Sequence, residues 1–144
     1  MEWEEYEKKC DEIRKENNRY LEIFSEDLKG LSPKTVRTHL DNVEFYINEY
    51  LLREDALSME EGVTHIDSYL GYFFIRKCMW STPSTIKSNA ASIKKFYKSM
   101  MEHGIIERKH YDYLCSVIKE NMELWQEDCA AYNDLDADDP FDIW

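Results

Sequence analysis

Residues 81–101 read STPSTIKSNAASIKKFYKSMM and predict an amphipathic helix that carries both core and surface. Thr82 is its expected N-cap and Pro83 its first residue, where the N–H that proline lacks would be unpaired anyway. Apolar residues recur at steps of three and four, as they do along one side of a helix. They are Ile86, Ala90, Ile93, Tyr97 and Met100, and the opposite side carries Ser84, Lys87, Ser88, Lys94, Lys95 and Lys98. Gly104 should end the helix, with the next two isoleucines folding back on its last turn.

The charge of this part of the chain is opposite to that of the rest. No Asp or Glu occurs in residues 71–101, which hold six cations: Arg76, Lys77, Lys87, Lys94, Lys95 and Lys98. The whole chain has 18 basic and 30 acidic side chains and a net charge of −12. A cationic stretch in so acidic a chain predicts a docking surface.

Composition predicts one all-α domain, a compact bundle of about five helices. The chain has 144 residues, 43% of them hydrophobic, with only four glycines and three prolines, which is too few for a turn-rich β fold. The N-terminus is acidic and no apolar run approaches the roughly 18 residues of a membrane span, so we expect a cytoplasmic protein without a membrane partner. The four cysteines lack metal-ligand spacing, which predicts free buried thiols and neither zinc nor disulfides.

Four further helices are predicted around the first. One runs from Trp3 to about Leu28. Asn17 interrupts its apolar stripe in the middle, so we expect either that this helix bends or that its front half lies outside the core. Another opens at Ser32-Pro33 and a third spans Ile66 to about Met79. The last starts near Glu107, so the domain is expected to cover residues 1–132, with an acidic tail over 133–144.

The tail, NDLDADDPFDIW, spaces its aspartates as an EF-hand loop does, but the position that requires glycine holds Asp139 and no twelfth ligand follows. Calcium is therefore not expected. The tail is either a solvated end of the chain or a phosphate mimic that covers the lysines, with Phe141 and Trp144 as anchors.

Two helix openings in the chain match. Residues 32–37 (SPKTVR) and 82–87 (TPSTIK) both read hydroxyl, proline, any residue, threonine, branched apolar residue and cation. The repeat predicts that the two helices form a pair.

The chain from about Tyr20 to Ile106 resembles the N-terminal core-binding (SAM-like) domain of tyrosine recombinases and phage integrases. That family has two helices opened by a Ser/Thr turn, an acidic loop before a short helix, and an aromatic residue and glycine turn after the second opened helix. The residues that carry the resemblance are Ser32, Thr35, Tyr50 and Leu51 in the first helix, and Ser84, Thr85, Ser92, Phe96, Tyr97 and Gly104 in the second. The segment 107–132 would be an extra C-terminal helix.

The resemblance implies that the two helices face duplex DNA as half of a clamp. The residues expected to contact DNA are Lys34, Thr35, Arg37 and Thr38 on the first helix, and Ser84, Thr85, Lys87, Ser88, Lys94, Lys95 and Lys98 on the second. Asp41 and Glu44 share the first helix with these cations and would repel phosphates.

The recombinase catalytic domain has no counterpart in the sequence. None of the four histidines is followed by an arginine three residues on, and neither a phosphate-binding loop nor a metalloprotease motif occurs. We therefore expect no catalysis, no cofactor, no metal and no small-molecule substrate. Two functions remain open: a DNA-binding module that leaves cutting to another protein, such as a recombinase, or a protein-interaction module whose lysines meet an acidic protein or another copy of itself.

Overall fold

The computed structural model describes residues 2–137, with side chains to Asp134, and consists of five helices. They are α1 (Glu2–Asp27), α2 (Pro33–Glu44, continued by a π-helical turn, Phe45–Tyr50), α3 (residues 66–77), α4 (Pro83–Glu102) and α5 (Arg108–Ala137). Within α3 a π-helical turn, Tyr69–Phe73, joins two short α-helical pieces, and a 3₁₀ helix, Glu61–Thr64, precedes it. The described residues contain no β-strand, so the predicted all-α bundle is confirmed.

The ends of α4 follow from its sequence. Thr82 and Thr85 form a reciprocal capping box, with the backbone N–H of each donating to the hydroxyl of the other at 2.8 and 3.1 Å. At the other end Gly104 adopts φ +74°, and Ile105 N donates to Met100 O at 2.9 Å. This glycine-terminated motif satisfies the last carbonyls and turns the chain toward α5.

Helix α4 forms the centre of the bundle, because α1, α2 and α5 all pack against it. Its five predicted core residues are all buried. His39 lies against Ser92, whereas Phe45, further along α2, lies against Trp80 before α4, so the two helices run antiparallel. The two matching helix openings are therefore at opposite ends of the pair and do not form a common edge.

The two π-helical turns meet in an aromatic cluster. Tyr69 lies 4.8 Å from both Tyr46 and Tyr50, ring centre to ring centre, and Tyr50 lies 4.9 Å from Phe73. Tyr46 is fully buried and donates its hydroxyl to Gly62 O at 2.6 Å. Burial raises the pKa of Tyr46 well above its ordinary value, and the nearby tyrosines add to the shift. These tyrosines belong to the core.

Helix α1 runs without a break, and its front half packs separately from the main core. Cys10 forms a small cluster with Leu52 and Ala56, to which Tyr6 donates a hydrogen bond at Leu52 O. Asn17, which interrupts the apolar stripe, is completely buried where the two clusters meet.

Three expectations differ from the structure. Met79 is not part of the third helix's core: it follows α3 and is 99% exposed. Helix α5 continues to Ala137, past the expected boundary at residue 132, and Asn133 donates to Ser81 O at 3.1 Å. Cys115 is only half-buried, although all four thiols are free.

The proposed anchors Phe141 and Trp144 lie outside the described residues, as do Asp138, Asp139 and Asp142. Within 2–137, no helix is long and apolar enough to cross a membrane.

Candidate nucleic-acid interface

The four lysines of α4 share its exposed side, and we call them the lysine face: Lys87, Lys94, Lys95 and Lys98. At 100° per residue, Lys87, Lys94 and Lys98 lie within an arc of about 40°, and Lys95 lies about 60° outside that arc. Ser84 and Ser88 are exposed beside them. Lys87 and Lys98 are about 16 Å apart along the helix axis.

The lysine face forms no ion pair with a carboxylate of residues 2–134. Among the described residues, none of its ammonium groups has a carboxylate oxygen within 4.0 Å, whereas Lys29 and Lys109 both form ion pairs with neighbouring glutamates. At one end of the lysine face, Asp27 and Glu102 line a shallow hollow together with Lys95 and Lys98.

The residues of α2 that were predicted to contact DNA are exposed, but several of them interact with groups of the protein itself. Lys34, Thr35 and Thr38 are exposed, but the Thr35 hydroxyl is bonded to Ser32 at 2.9 Å and the Thr38 hydroxyl donates to Lys34 O at 3.0 Å. Arg37 lines a groove between α2 and the end of α1, and that groove also holds Glu26, Asp41 and Glu44. Arg37 therefore lies among carboxylates rather than with the lysine face.

Three polar side chains meet where α2 packs against α4. Ser92 Oγ lies 2.8 Å from His39 Nδ1 and accepts a hydrogen bond from Asn42 Nδ2 at 3.0 Å. Burial lowers the pKa of His39, and the positive charge of Lys95 lowers it further. Lys95 is thus the member of the lysine face closest to α2.

The hydroxyl of Thr85, a residue predicted to contact DNA, takes part in the N-terminal cap of α4. Thr85 is half-buried, and its hydroxyl accepts from Thr82 N at 2.8 Å and lies 3.2 Å from Trp80 O. The remaining exposed hydroxyls, of Ser84 and Ser88, are the ones that α4 presents to solvent.

A serine, a histidine and an aspartate meet at the end of α4. Ser99 Oγ donates to Asp27 Oδ2 at 2.5 Å, and His103 Nε2 lies 3.0 Å from the same oxygen. In a hydrolase triad the serine bonds to the histidine and the histidine to the aspartate. Here the serine and the histidine both bond to the aspartate and not to each other, so the three residues are not arranged as a catalytic triad. The arrangement fastens α1 to α4.

A second exposed surface was not predicted, and we call it the aromatic patch: Tyr72, Arg76, Met79 and Trp80. Tyr72 is 60% and Trp80 57% exposed, and the guanidinium of Arg76 lies 4.2 Å from the Tyr72 ring centre. The available signal was the spacing of Tyr72 and Arg76, which are four residues apart in a helix.

Comparison of the chain with known protein families, curated proteins and solved structures finds no match. The described residues also hold no cluster of three or more His, Cys, Asp or Glu side chains that could bind a metal ion. Interpretation of the surface therefore depends on its own geometry.

Proposed function

We propose that this protein is a non-catalytic DNA-binding module whose lysine face contacts the phosphate backbone of duplex DNA. The observation that carries the proposal is that the four exposed lysines of α4 form no ion pair with a carboxylate of residues 2–134. The resemblance of residues 20–106 to recombinase core-binding domains supports the same function, with cleavage left to another protein.

The unpaired lysines matter because phosphate binding by lysine gains free energy from the release of counterions condensed on DNA. An ammonium already paired with a carboxylate would first have to give up that partner. If all four lysines neutralise phosphates, the logarithm of the affinity should fall with the logarithm of salt concentration with a slope of about −3.6.

The net charge of −12 opposes this interaction at long range. Repulsion between the acidic surfaces and DNA slows association and lowers affinity, most strongly at low salt where charges are least screened. We therefore propose backbone binding of modest strength, without base readout.

The test is fluorescence anisotropy of a labelled random duplex over a series of salt concentrations. We expect the wild-type protein to bind with the slope given above, and a variant with Lys87, Lys94, Lys95 and Lys98 changed to Gln to lose binding. The control carries the same number of Lys→Gln changes at four exposed lysines elsewhere: Lys8, Lys9, Lys15 and Lys119. It has the same net charge, so it should bind as the wild type does.

Equal loss of binding in both variants would mean that overall charge and not the lysine face determines affinity. Absence of binding by the wild-type protein at low salt, before and after deletion of residues 138–144, would contradict the proposal. That result would favour the alternative, a protein-interaction module that keeps the helical fold.

A further inference from the structure

The aromatic patch is an unusual concentration of exposed apolar surface. Met79 is 99%, Tyr72 60% and Trp80 57% exposed, although all three lie in one short part of the chain, at the end of α3 and just after it. Single exposed apolar side chains are ordinary on a protein surface, whereas several that lie together often mark an interaction site. Trp, Tyr and Arg are also the residue types that dominate binding energy at protein interfaces.

The turn that carries Met79 and Trp80 is held in place from several sides. Ser81 N donates to Cys78 O and Ser81 Oγ to Ile75 O, at 3.1 and 3.2 Å. The Trp80 ring packs edge-on against Phe45 and Phe74, with ring centres 6.0 and 6.4 Å away. The exposure of these side chains is therefore built into the fold.

Arg76 adds a preorganised cation to the patch. Its guanidinium lies between two rings, 4.2 Å from the centre of Tyr72 and 5.6 Å from that of Tyr132. No carboxylate in residues 2–134 forms an ion pair with it. A guanidinium stacked in this way keeps its N–H edge available for a carboxylate and loses little conformational entropy when it binds one.

The first turn of α1 has the complementary chemistry. Trp3 is 66% exposed and packs against Tyr6, with ring centres 5.5 Å apart. It lies among the exposed carboxylates of that turn and the next one, which include Glu2, Glu5 and Glu7. An exposed tryptophan among glutamates is complementary to an exposed methionine and tryptophan that follow an arginine within four residues of the chain.

We propose that the aromatic patch binds the first turn of α1 of a second copy of this chain. Trp3 of that copy would pack on Met79 and Trp80, and a glutamate of the same turn would accept hydrogen bonds from Arg76. Because the contact joins two different surfaces, each copy carries one of each kind. This interaction does not depend on the lysine face.

Sedimentation velocity over a wide range of protein concentrations tests the proposal. We expect the wild-type chain to self-associate, and Trp80→Ala, Arg76→Gln and Trp3→Ala each to weaken the association by about tenfold or more. The matched control is Leu124→Ala on α5, since Leu124 is 52% exposed and lies in neither surface; it should leave the association unchanged. Circular dichroism and thermal unfolding check that each variant is folded.

A mixing experiment identifies the occupant. The Trp3→Ala variant keeps its aromatic patch and the Trp80→Ala variant keeps its α1 turn, so an equimolar mixture should associate where each alone does not. A wild-type protein that stays monomeric overturns the proposal. So does weakening by Trp80→Ala without weakening by Trp3→Ala, because the patch would then bind something other than α1. The lysine variants used for DNA binding should self-associate normally, which separates failure of one proposal from failure of the other.

Discussion

At the scale of single residues, Gly62 is a position where the core leaves no room for a side chain. A Cβ built on Gly62 would come within 2.6 Å of both Leu51 Cδ1 and Tyr97 Oη. Neither neighbour can move easily: Leu51 is buried, and Tyr97 is buried with its hydroxyl donating to Met59 O at 2.6 Å. The close approach therefore depends on glycine.

We predict that Gly62→Ala lowers the free energy of unfolding by about 1–3 kcal/mol, the usual cost of overpacking a core. Urea denaturation followed by circular dichroism measures this. Gly104→Ala is the comparison, because a Cβ there meets nothing within 4 Å and only the positive φ opposes it, at roughly 1–2 kcal/mol. A Gly62→Ala protein as stable as the wild type would show that Tyr97 is not fixed.

Asn17 shows what a residue pattern can and cannot predict. Its position in the stripe is apolar by spacing, and the structure buries it completely, as the period requires. The sequence does not reveal its partners: the amide nitrogen donates to Ile47 O at 3.2 Å and to Asn48 Oδ1 at 2.8 Å. Both acceptors lie in the π-helical turn after α2, about thirty residues away, so the amide N–H₂ group finds its partners only in the tertiary structure. The Asn17 Oδ1 has no hydrogen-bond partner among the described residues.

At the scale of helices, the bond network of Asp27 connects the end of α1 to the end of α4. The hydrogen bond from Ser99 is the main reason why the pKa of Asp27 lies below its ordinary value, and the bond from His103 acts in the same direction. Because the folded protein favours the charged carboxylate, this stabilisation is present above the unfolded pKa of about 3.9 and is lost as the pH falls through the folded value.

We therefore predict that Asp27→Asn loses less stability on acidification than the wild type does. Urea unfolding near neutral pH and at a pH of about 3 measures the difference. Ser99→Ala should show a smaller effect of the same sign, since it removes the largest cause of the shift. Asp41→Asn is the control, because Asp41 is exposed. If Asp27→Asn and Asp41→Asn respond alike to pH, the network does not contribute.

The same scale explains which elements the sequence predicts. Helices with Ser/Thr-Pro openings and a regular stripe, α2 and α4, are predicted at both their start and their core face. Thr64 and Asp67 do not form the capping box that their spacing indicates, since Asp67 accepts the Trp125 indole N–H at 2.7 Å. The box forms instead between Ser58 and Glu61, which bond reciprocally at 3.1 and 3.2 Å and match the usual sequence pattern.

Other elements depend on packing that no local pattern contains. The π-helical turns place Tyr46, Tyr50 and Tyr69 against one another. Each turn contains one residue more than an α-helical turn, and the α-helical spacing of apolar residues does not predict it. Met79 continues the apolar spacing of α3, but α3 ends at Lys77 and leaves it outside the core. In the candidate site, spacing predicts the lysine face, whereas the position of Arg37 follows from the packing of α2 against the end of α1.

At the scale of the whole molecule, two electrostatic effects respond to salt in opposite directions. Thirty acidic side chains give a net charge of −12, and their mutual repulsion opposes the compact state. Salt screens that repulsion, with a Debye length of about 10 Å at 0.1 M. The same salt weakens any contact between the lysine face and phosphates.

We predict that sodium chloride raises the urea midpoint of this protein over the range in which it weakens DNA binding. Changing the four lysines of α4 to Gln removes four positive charges and makes the net charge more negative. Because the repulsion that salt screens is then larger, the urea midpoint should rise more steeply with salt concentration. Chemical denaturation at several sodium chloride concentrations measures the midpoint, and anisotropy of the labelled duplex measures binding in the same buffers. A urea midpoint that falls with salt would mean that ion pairs stabilise the fold by more than general repulsion destabilises it. The loss of DNA binding at high salt could then be caused by unfolding. A rising midpoint with falling affinity assigns the loss of binding to the contact between lysines and phosphates.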